Sequence, residues 1–273
     1  MSLKKNGRVL VVAGSDSSGG AGIQADIKTI TALGGYAATA ITALTAQNTT
    51  GVASVQPVEP AFVAHQMKVV LEDIGADVLK TGMLHSAPVI EAVAGVYRMM
   101  SADMVYVLDP VMIAKGGHSL LDISAVDALK KRLLPLADLV TPNIPEAQVL
   151  TNMRIDGPDQ MEAVAKKILG FGPGSVLLKG GHLKGSQLHD VLVTSLGSEW
   201  FETERIDTRH THGTGCTLAS AIATGLAQGL VLDKAVFRAR EYVLKAIRTA
   251  PGFGAGHGPL GHSHTASIFP PKK

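Results

Sequence analysis

Six short apolar runs, each closing on glycine or a polar residue, alternate along this chain with longer stretches of helical periodicity. The runs at residues 8–13, 37–43, 77–81, 105–109, 139–141 and 175–179 predict strands. The stretches 23–33, 61–74, 87–100, 125–134, 159–169, 217–227 and 234–249 predict helices. Alternation of this kind builds a mainly parallel sheet with helices on both faces, joined by right-handed crossovers. Residues 188–194 and 200–206, flanking Gly197 and Ser198, predict a small hairpin at the sheet edge. The expected fold class is therefore α/β. No repeat or linker interrupts residues 1–273, which predicts one domain, and the Gly-, Pro- and His-rich tail 252–273 is expected to wrap the surface.

Sheets of this type bind ligands outside the carboxyl ends of their strands. There the sequence places Gly14 to Gly22, Thr45 to Asn48, Lys80 to Met83, Asp109 to Met112, Thr141 to Glu146 and Lys179 to His182. Glycines and polar groups at one end of every strand predict a site. Gly14 to Gly19 has the spacing of a phosphate-binding P-loop, but Gly20 and Ala21 stand where Lys and Ser or Thr are required. Gly20 to Ala25 fits a loose dinucleotide pattern, yet residues 40–47 hold no acid for a ribose. Both matches are rejected, and a loop closing over a small substrate is the reading kept.

The sole cysteine, Cys216, follows the turn Thr211-His212-Gly213-Thr214-Gly215 and opens an apolar helical stretch. Glycines let a backbone approach a ligand closely, and a helix start presents unpaired N–H groups to an anion. A thiol at that end is expected to favour its thiolate. A lone cysteine also serves as a small buried hydrophobe, and such a turn also serves as a plain helix cap. With polar groups at every strand end, the functional reading is preferred: catalysis on a phosphate or similar group.

Asp109 ends a hydrophobic strand, and Glu146 follows Pro145 at a helix start. Each has a structural alternative, as a turn cap or as an acid favoured by the helix dipole. As a pair they suit Mg²⁺, or its waters, beside nucleotide phosphates. Asn143 can donate to a phosphate oxygen, and Lys179 can place a point charge there. His182 has an equal claim to be a surface histidine. His257, His262 and His264 lack an acidic or thiol partner and are not read as a metal site, and Met99 and Met100 are read as helix packing. The loop 113–118 has the glycines of a mobile flap.

The formal charge of +2, with Lys and Arg spread along the chain, gives no electrostatic footprint for nucleic acid. One cysteine excludes an intrachain disulfide and a Cys-rich zinc site and fits a reducing cytoplasm. The apolar run 9–13 is too short for a signal peptide, and no stretch predicts a membrane span.

In their order and spacing these pieces resemble the hydroxymethylpyrimidine/phosphomethylpyrimidine kinases of thiamine biosynthesis, a branch of the ribokinase-like superfamily. The most specific are Ser18-Gly19-Gly20-Ala21-Gly22-Ile23-Gln24-Ala25-Asp26, Thr141-Pro142-Asn143-Ile144-Pro145-Glu146-Ala147, Lys179-Gly180-Gly181-His182 and His212-Gly213-Thr214-Gly215-Cys216-Thr217. The resemblance runs from Val12 to Pro259. It implies a three-layer α/β/α ribokinase-like fold, ATP as co-substrate with Mg²⁺, and a homodimer. It further implies phosphorylation of 4-amino-5-hydroxymethyl-2-methylpyrimidine and then of its monophosphate. By the same resemblance Gln47, Gly14, Asp26, Met83 and Val111 bind the pyrimidine. Asn143, Lys179, His182 and Arg240 serve the nucleotide, and Asp109 and Glu146 the metal. Cys216 stands where the wider superfamily carries an aspartate base, with Gly213, Thr214 and Gly215 forming the anion hole. Arg240 departs from the family's usual Lys, exchanging a point charge for a planar fork.

Two rival readings remain at this level. A pyridoxine, pyridoxal or pyridoxamine kinase uses a similar flat heterocycle with a hydroxymethyl arm, alone or as a second activity. A nonenzymatic binding protein would keep the fold without turnover, and the retained turn, thiol, carboxylates and Lys179 argue against it.

Overall fold

The computed structural model describes residues 6–101, 103–112 and 123–265. The flap expected at 113–118 and the tail beyond 265 lie outside the described residues. Continuous apolar runs become strands buried on both faces, as a parallel sheet requires. In β1 (Arg8–Asp16), Leu10, Val11 and Val12 are wholly buried. It is followed by α1 (Gly22–Ala32), β2 (Tyr36–Asn48), β3 (Gly51–Pro57), α2 (Pro60–Asp73), β4 (Val78–Thr81), α3 (Ala87–Met100) and β5 (Val105–Leu108). Then come α4 (Ile123–Ala128), β6 (Leu139–Val140), α5 (Ile144–Thr151), α6 (Pro158–Leu169) and β7 (Ser175–Lys179). The chain continues through β8 (Gln187–Thr194), β9 (Gly197–Glu204), α7 (Thr214–Ala227) and α8 (Leu232–Arg248).

Among the described residues the nine strands form one sheet in the order β3-β2-β1-β4-β5-β6-β7-β8-β9. Strands β2, β1, β4, β5, β6 and β7 run parallel, while β3, β8 and β9 pair antiparallel at the two edges. The two-residue side-chain period sorts the core into two layers. Leu10, Val12, Leu79 and Leu108 pack against α2 to α6, and Val9, Val11, Ala13 and Val107 against α1, α7 and α8. The result is the expected three-layer α/β/α arrangement. From β1 the chain steps to β2 on one side and returns to β4 on the other. That reversal opens a crevice at the carboxyl ends of β1 and β4.

Four elements differ from expectation. β2 continues to Asn48 instead of ending at 43, because it pairs in antiparallel register with β3. β3 itself has mostly exposed or half-buried residues, so it carries no apolar run to announce it. The helix expected over 125–134 is α4 followed by a π-type turn (Leu129–Leu133) and a 3₁₀ turn (Leu134–Leu136). Pro135 blocks regular continuation there. α5 is too short for a clear period and is set by its start: Asn143 and Glu146 form a reciprocal capping box, with Pro145 in the first turn. The edge hairpin begins at Gln187 and ends at Glu204, near its expected place.

Candidate active site

A cavity of about 620 Å³ occupies the carboxyl ends of the strands, a volume typical of small-molecule sites. Gly14, Gln47, Met83, Val111, Asp109, Asn143, Glu146, Lys179, His182, Arg240 and Gly213 through Cys216 all line it. Elements far apart in sequence therefore converge as expected. Asp26 is the exception.

At one end Met83, Val111, Ala43, Val52 and Val55 form a small apolar cluster under the β2–β3 hairpin. Gly14 faces Met83 so closely that an added Cβ would lie 2.9 Å from its sulfur. On the polar side His212 Nε2 lies 2.7 Å from Asp16 Oδ2 and 3.3 Å from Gln47 Nε2. Asp16 also accepts from the Ser18 N–H and hydroxyl and from the Ala21 N–H, each at 2.8 Å. Burial raises the Asp16 carboxyl, but the bonds from His212 and Ser18 outweigh it and hold the group at about 2. Asp16 is therefore a carboxylate at neutral pH, and Nε2 of His212 spends its proton on it. The Gln47 oxygen accepts from the Thr45 hydroxyl at 3.1 Å, so its amide N–H groups are the end left for a ligand.

At the other end Lys179 Nζ donates to Asp109 Oδ1 at 3.0 Å, and Thr141 Oγ1 donates to the same oxygen at 3.0 Å. Asn143 Oδ1 accepts from the Glu146 N–H at 2.9 Å, while Glu146 Oε2 accepts from the Asn143 N–H at 2.8 Å. The first bond turns the Asn143 oxygen into the helix and leaves its NH₂ as the outward donor. Burial, with Asp109 adding to it against the opposing Lys179, pushes the Glu146 carboxyl up to about 7. Arg205 donates to three carbonyls of one loop, those of Gly181, Leu183 and Gly185. It thereby shapes the segment that carries His182.

Between the two ends sits the first turn of α7. Its cap, Gly213, has φ 80°, and a Cβ there would collide with the Gly20 carbonyl oxygen. Only glycine suits that left-handed, crowded position. The first N–H groups of a helix lack intrahelical acceptors and face the cavity at the positive end of the dipole. Cys216 lies in this turn, half-buried. Its thiol contradicts the thiolate expectation. Burial pushes it up to about 12, with Asp26 and Asp109 adding to the rise, against Lys80 and a hydrogen bond from the Gly22 N–H. At neutral pH Cys216 is a neutral thiol.

Two further expectations change. Asp26 was expected against the substrate but is wholly buried beneath α7, bonded to Lys80 Nζ at 2.9 and 3.1 Å and to Ser220 Oγ at 2.7 Å. Arg240 was expected to serve the nucleotide. It lines the cavity, but its guanidinium is engaged with Asp190 and Thr203 and lies over the Phe201 ring. Polar cavity residues to which sequence reasoning gave no individual role include Asp16, Lys80, Asp190, Arg205 and His212. Lys80 and Asp190 carried a signal: each is a charge inside an apolar strand, which is rare without a partner or a task.

The donor set fits Mg²⁺ in only one mode. No group of three or more His, Cys, Asp or Glu able to hold a metal occurs among the described residues. One Glu146 oxygen is taken by the Asn143 N–H, and the Met112 N–H also bonds this carboxylate. Asp109 Oδ2 faces the first turn of α7, 3.8 Å from where a Cβ on Gly215 would stand. One or two hard carboxylates without a full cage suit a hydrated Mg²⁺ that also binds phosphate.

Comparison with known proteins agrees with this geometry. The family model described as phosphomethylpyrimidine kinase matches residues 16–261. A thiamine biosynthesis bifunctional protein of Geobacter sulfurreducens is 54% identical over 256 residues, 94% of this chain. The chain spans about half, 52%, of that relative's length. A hydroxymethylpyrimidine/phosphomethylpyrimidine kinase of Streptomyces coelicolor is 46% identical over 254 residues, covering 93% of each chain. Among solved structures, an ADP complex of Bacillus subtilis pyridoxal kinase superposes with TM-score 0.87 at 36% identity. That match covers 94% of this chain and 98% of the other.

Proposed function

The chain belongs to the phosphomethylpyrimidine kinase family, and on that premise we propose that it phosphorylates 4-amino-5-hydroxymethyl-2-methylpyrimidine and then the resulting monophosphate, each time with ATP. The observation that carries this reading is one cavity joining the Gln47 pocket to the amino end of α7 and to Lys179.

Phosphoryl transfer asks for positioning and charge stabilisation more than for covalent chemistry. The apolar Met83–Val111 wall takes the flat ring, and the free N–H of Gln47 reads the ring nitrogen between the methyl- and amino-bearing carbons, an atom that pyridoxal lacks. This aims the hydroxymethyl oxygen at the first turn of α7. That oxygen bonds to the γ-phosphorus as the bond to the ADP oxygen breaks, and its proton leaves late in the step to an oxygen of the transferred phosphoryl group. The N–H groups of Gly213 to Cys216 hold the equatorial oxygens in flight, and Lys179 and the Asn143 amide steady the leaving diphosphate. As a neutral thiol, Cys216 orients the attacking hydroxyl instead of stripping its proton at the outset. We propose that Asp109 and Glu146 hold Mg²⁺ through a carboxylate or its waters, where it supplies charge neutralisation of the phosphates. We propose also that the enzyme works as a homodimer in the cytoplasm; its single cysteine suits a reducing compartment. No helix among the described residues is long and apolar enough to cross a membrane.

The likeness to a pyridoxal kinase supports a second acceptor at the same site. Gln47→Leu separates the two. A site built to bond a polar edge strongly rejects a partner it can no longer bond. The variant is expected to lose at least tenfold more kcat/KM for the aminopyrimidine than for pyridoxal, with KM for ATP little changed. Equal loss for both alcohols would remove Gln47 from ring recognition.

Glu146→Gln tests the metal side. Glutamine preserves the capping box, so the fold is retained. The Mg²⁺ concentration for half-maximal rate is expected to rise severalfold while KM for the pyrimidine stays nearly constant. An unchanged Mg²⁺ titration contradicts the assignment.

A further inference from the structure

Gln47 stands on a weakly supported piece of the sheet. The pairing of β1 with β2 ends at Asp16 and Thr45, so Gln47 and Asn48 run past the last strand neighbour on that side. On the other side lies only the edge strand β3, and its register with β2 shifts between Ala46 and Gln47. A bulge interrupts the ladder and re-aims a side chain, and a two-stranded hairpin is marginal by itself. One support is local: Ser17 Oγ donates to the Gln47 carbonyl at 2.8 Å and accepts from the Gln47 N–H at 2.9 Å.

The second support comes from the far end of the chain. After α8, residues 253–259 lie against the β2–β3 turn. The His257 N–H donates to the Thr49 carbonyl at 2.8 Å, and the Gly256 N–H to Thr49 Oγ1 at 3.2 Å. Gly256 is packed so closely that a Cβ would overlap the Thr49 carbonyl. The same segment is fastened to the turn before α7. The Gly258 carbonyl accepts from the His212 N–H at 3.1 Å, and the Ala255 carbonyl from Arg209 Nη1 at 3.2 Å. The circuit closes inside the site, where His212 Nε2 lies 3.3 Å from Gln47 Nε2. Residues 253–259 do not line the cavity, and Phe253 is 67% exposed, so little of the segment belongs to the core. Backbone bonds aimed at two sides of one site point to placement more than to stability.

We propose that residues 253–259 are a strap, with Thr49 and Gly256 as positioning residues, that holds Gln47 in register with the first turn of α7. What this does for turnover rests on the kinase reading above; the fastening of the hairpin to the turn does not. A ring bonded to Gln47 must bring its hydroxymethyl oxygen in line with the transferring phosphoryl. A misplacement of about 1 Å costs on the order of 10²-fold in rate. The strap removes that freedom between Gln47 and His212, which are 165 residues apart in sequence.

Two glycine variants test the strap from its two ends. Gly256→Ala drives it off Thr49, and Gly258→Ala drives it off His210 without meeting the hairpin. Both are expected to speed amide hydrogen exchange of residues 46–52 by about tenfold or more without substrate, with β4 and β5 unchanged. Both are expected to lower kcat/KM for the pyrimidine by about tenfold or more, with KM for ATP within about twofold of wild type. Thr49→Ser keeps the hydroxyl and is expected to match wild type, while Thr49→Val loses one hydrogen bond and several-fold in kcat/KM. These two variants carry the test if an alanine variant does not fold. A merely structural segment predicts a lower melting temperature with unchanged kcat/KM below the transition, or equal losses for both substrates. Either result overturns the proposal, as does unchanged hairpin exchange in Gly258→Ala, or valine serving as well as serine. The exchange measurement needs no turnover. A wild type that leaves the pyrimidine unphosphorylated therefore refutes the kinase reading alone, and exchange decides the fastening.

Discussion

Gly213→Val is expected to lower kcat by on the order of 10³-fold, the loss seen when transition-state donors are displaced. The reason is geometric. Gly213 holds a left-handed backbone, and its Cα sits against the Gly20 carbonyl, so a branched side chain must push the turn away from the loop at Gly20. The N–H groups that follow then no longer converge on the transferring phosphoryl. The apolar pocket of Met83 and Val111 lies on other elements and keeps its shape. Pyrimidine binding measured by calorimetry is therefore expected to change little, while turnover collapses. Loss of pyrimidine binding to the same extent as turnover would show instead that the whole loop region has come apart.

Cys216→Ala should act differently, lowering kcat by on the order of 10²-fold. A thiol pushed up to about 12 is protonated below that value and ionised only above it, so between pH 7 and 9 the wild-type rate is expected to be flat with respect to this group. Its contribution is orientation of the attacking oxygen. Cys216→Ser keeps a hydroxyl that can do the same and is expected to recover most of the loss. A wild-type rate climbing tenfold per pH unit over that range, with serine as poor as alanine, would make the thiolate the base. Near wild-type turnover in the alanine variant would remove the side chain from the reaction and leave the anion hole alone.

The central sheet was legible because parallel strands buried on both faces read as unbroken apolar runs. Leu10 to Ala13 and Val105 to Leu108 needed no partner to be recognised. β3 was not: it pairs with β2 as an adjacent hairpin, but its residues are exposed or half-buried and form no apolar run. The site was legible where it is made of local chemistry: glycines before a helix, or Asn143 and Glu146 three residues apart. It was illegible where distant side chains set the physics. The thiol of Cys216 follows the helix-end rule until burial and the carboxylates of Asp26 and Asp109 are counted, and neither is near it in sequence. Asp26 shares a motif with cavity residues, but the turn of α1 points it inward to Lys80. Arg240 reads as a free cation until β8 and β9 supply Asp190, Thr203 and the Phe201 ring. His212 and Asp16 are 196 residues apart, and their 2.7 Å contact exists only in the folded chain.

The most direct measurement is product analysis in competition. The protein is incubated with ATP, Mg²⁺ and equal concentrations of 4-amino-5-hydroxymethyl-2-methylpyrimidine and pyridoxal, and masses are followed in time. The account predicts that the pyrimidine monophosphate appears first and is then replaced by the diphosphate, with pyridoxal phosphate formed slowly or not at all. Pyridoxal phosphate as the dominant product, or a pyrimidine that is never phosphorylated, would contradict it.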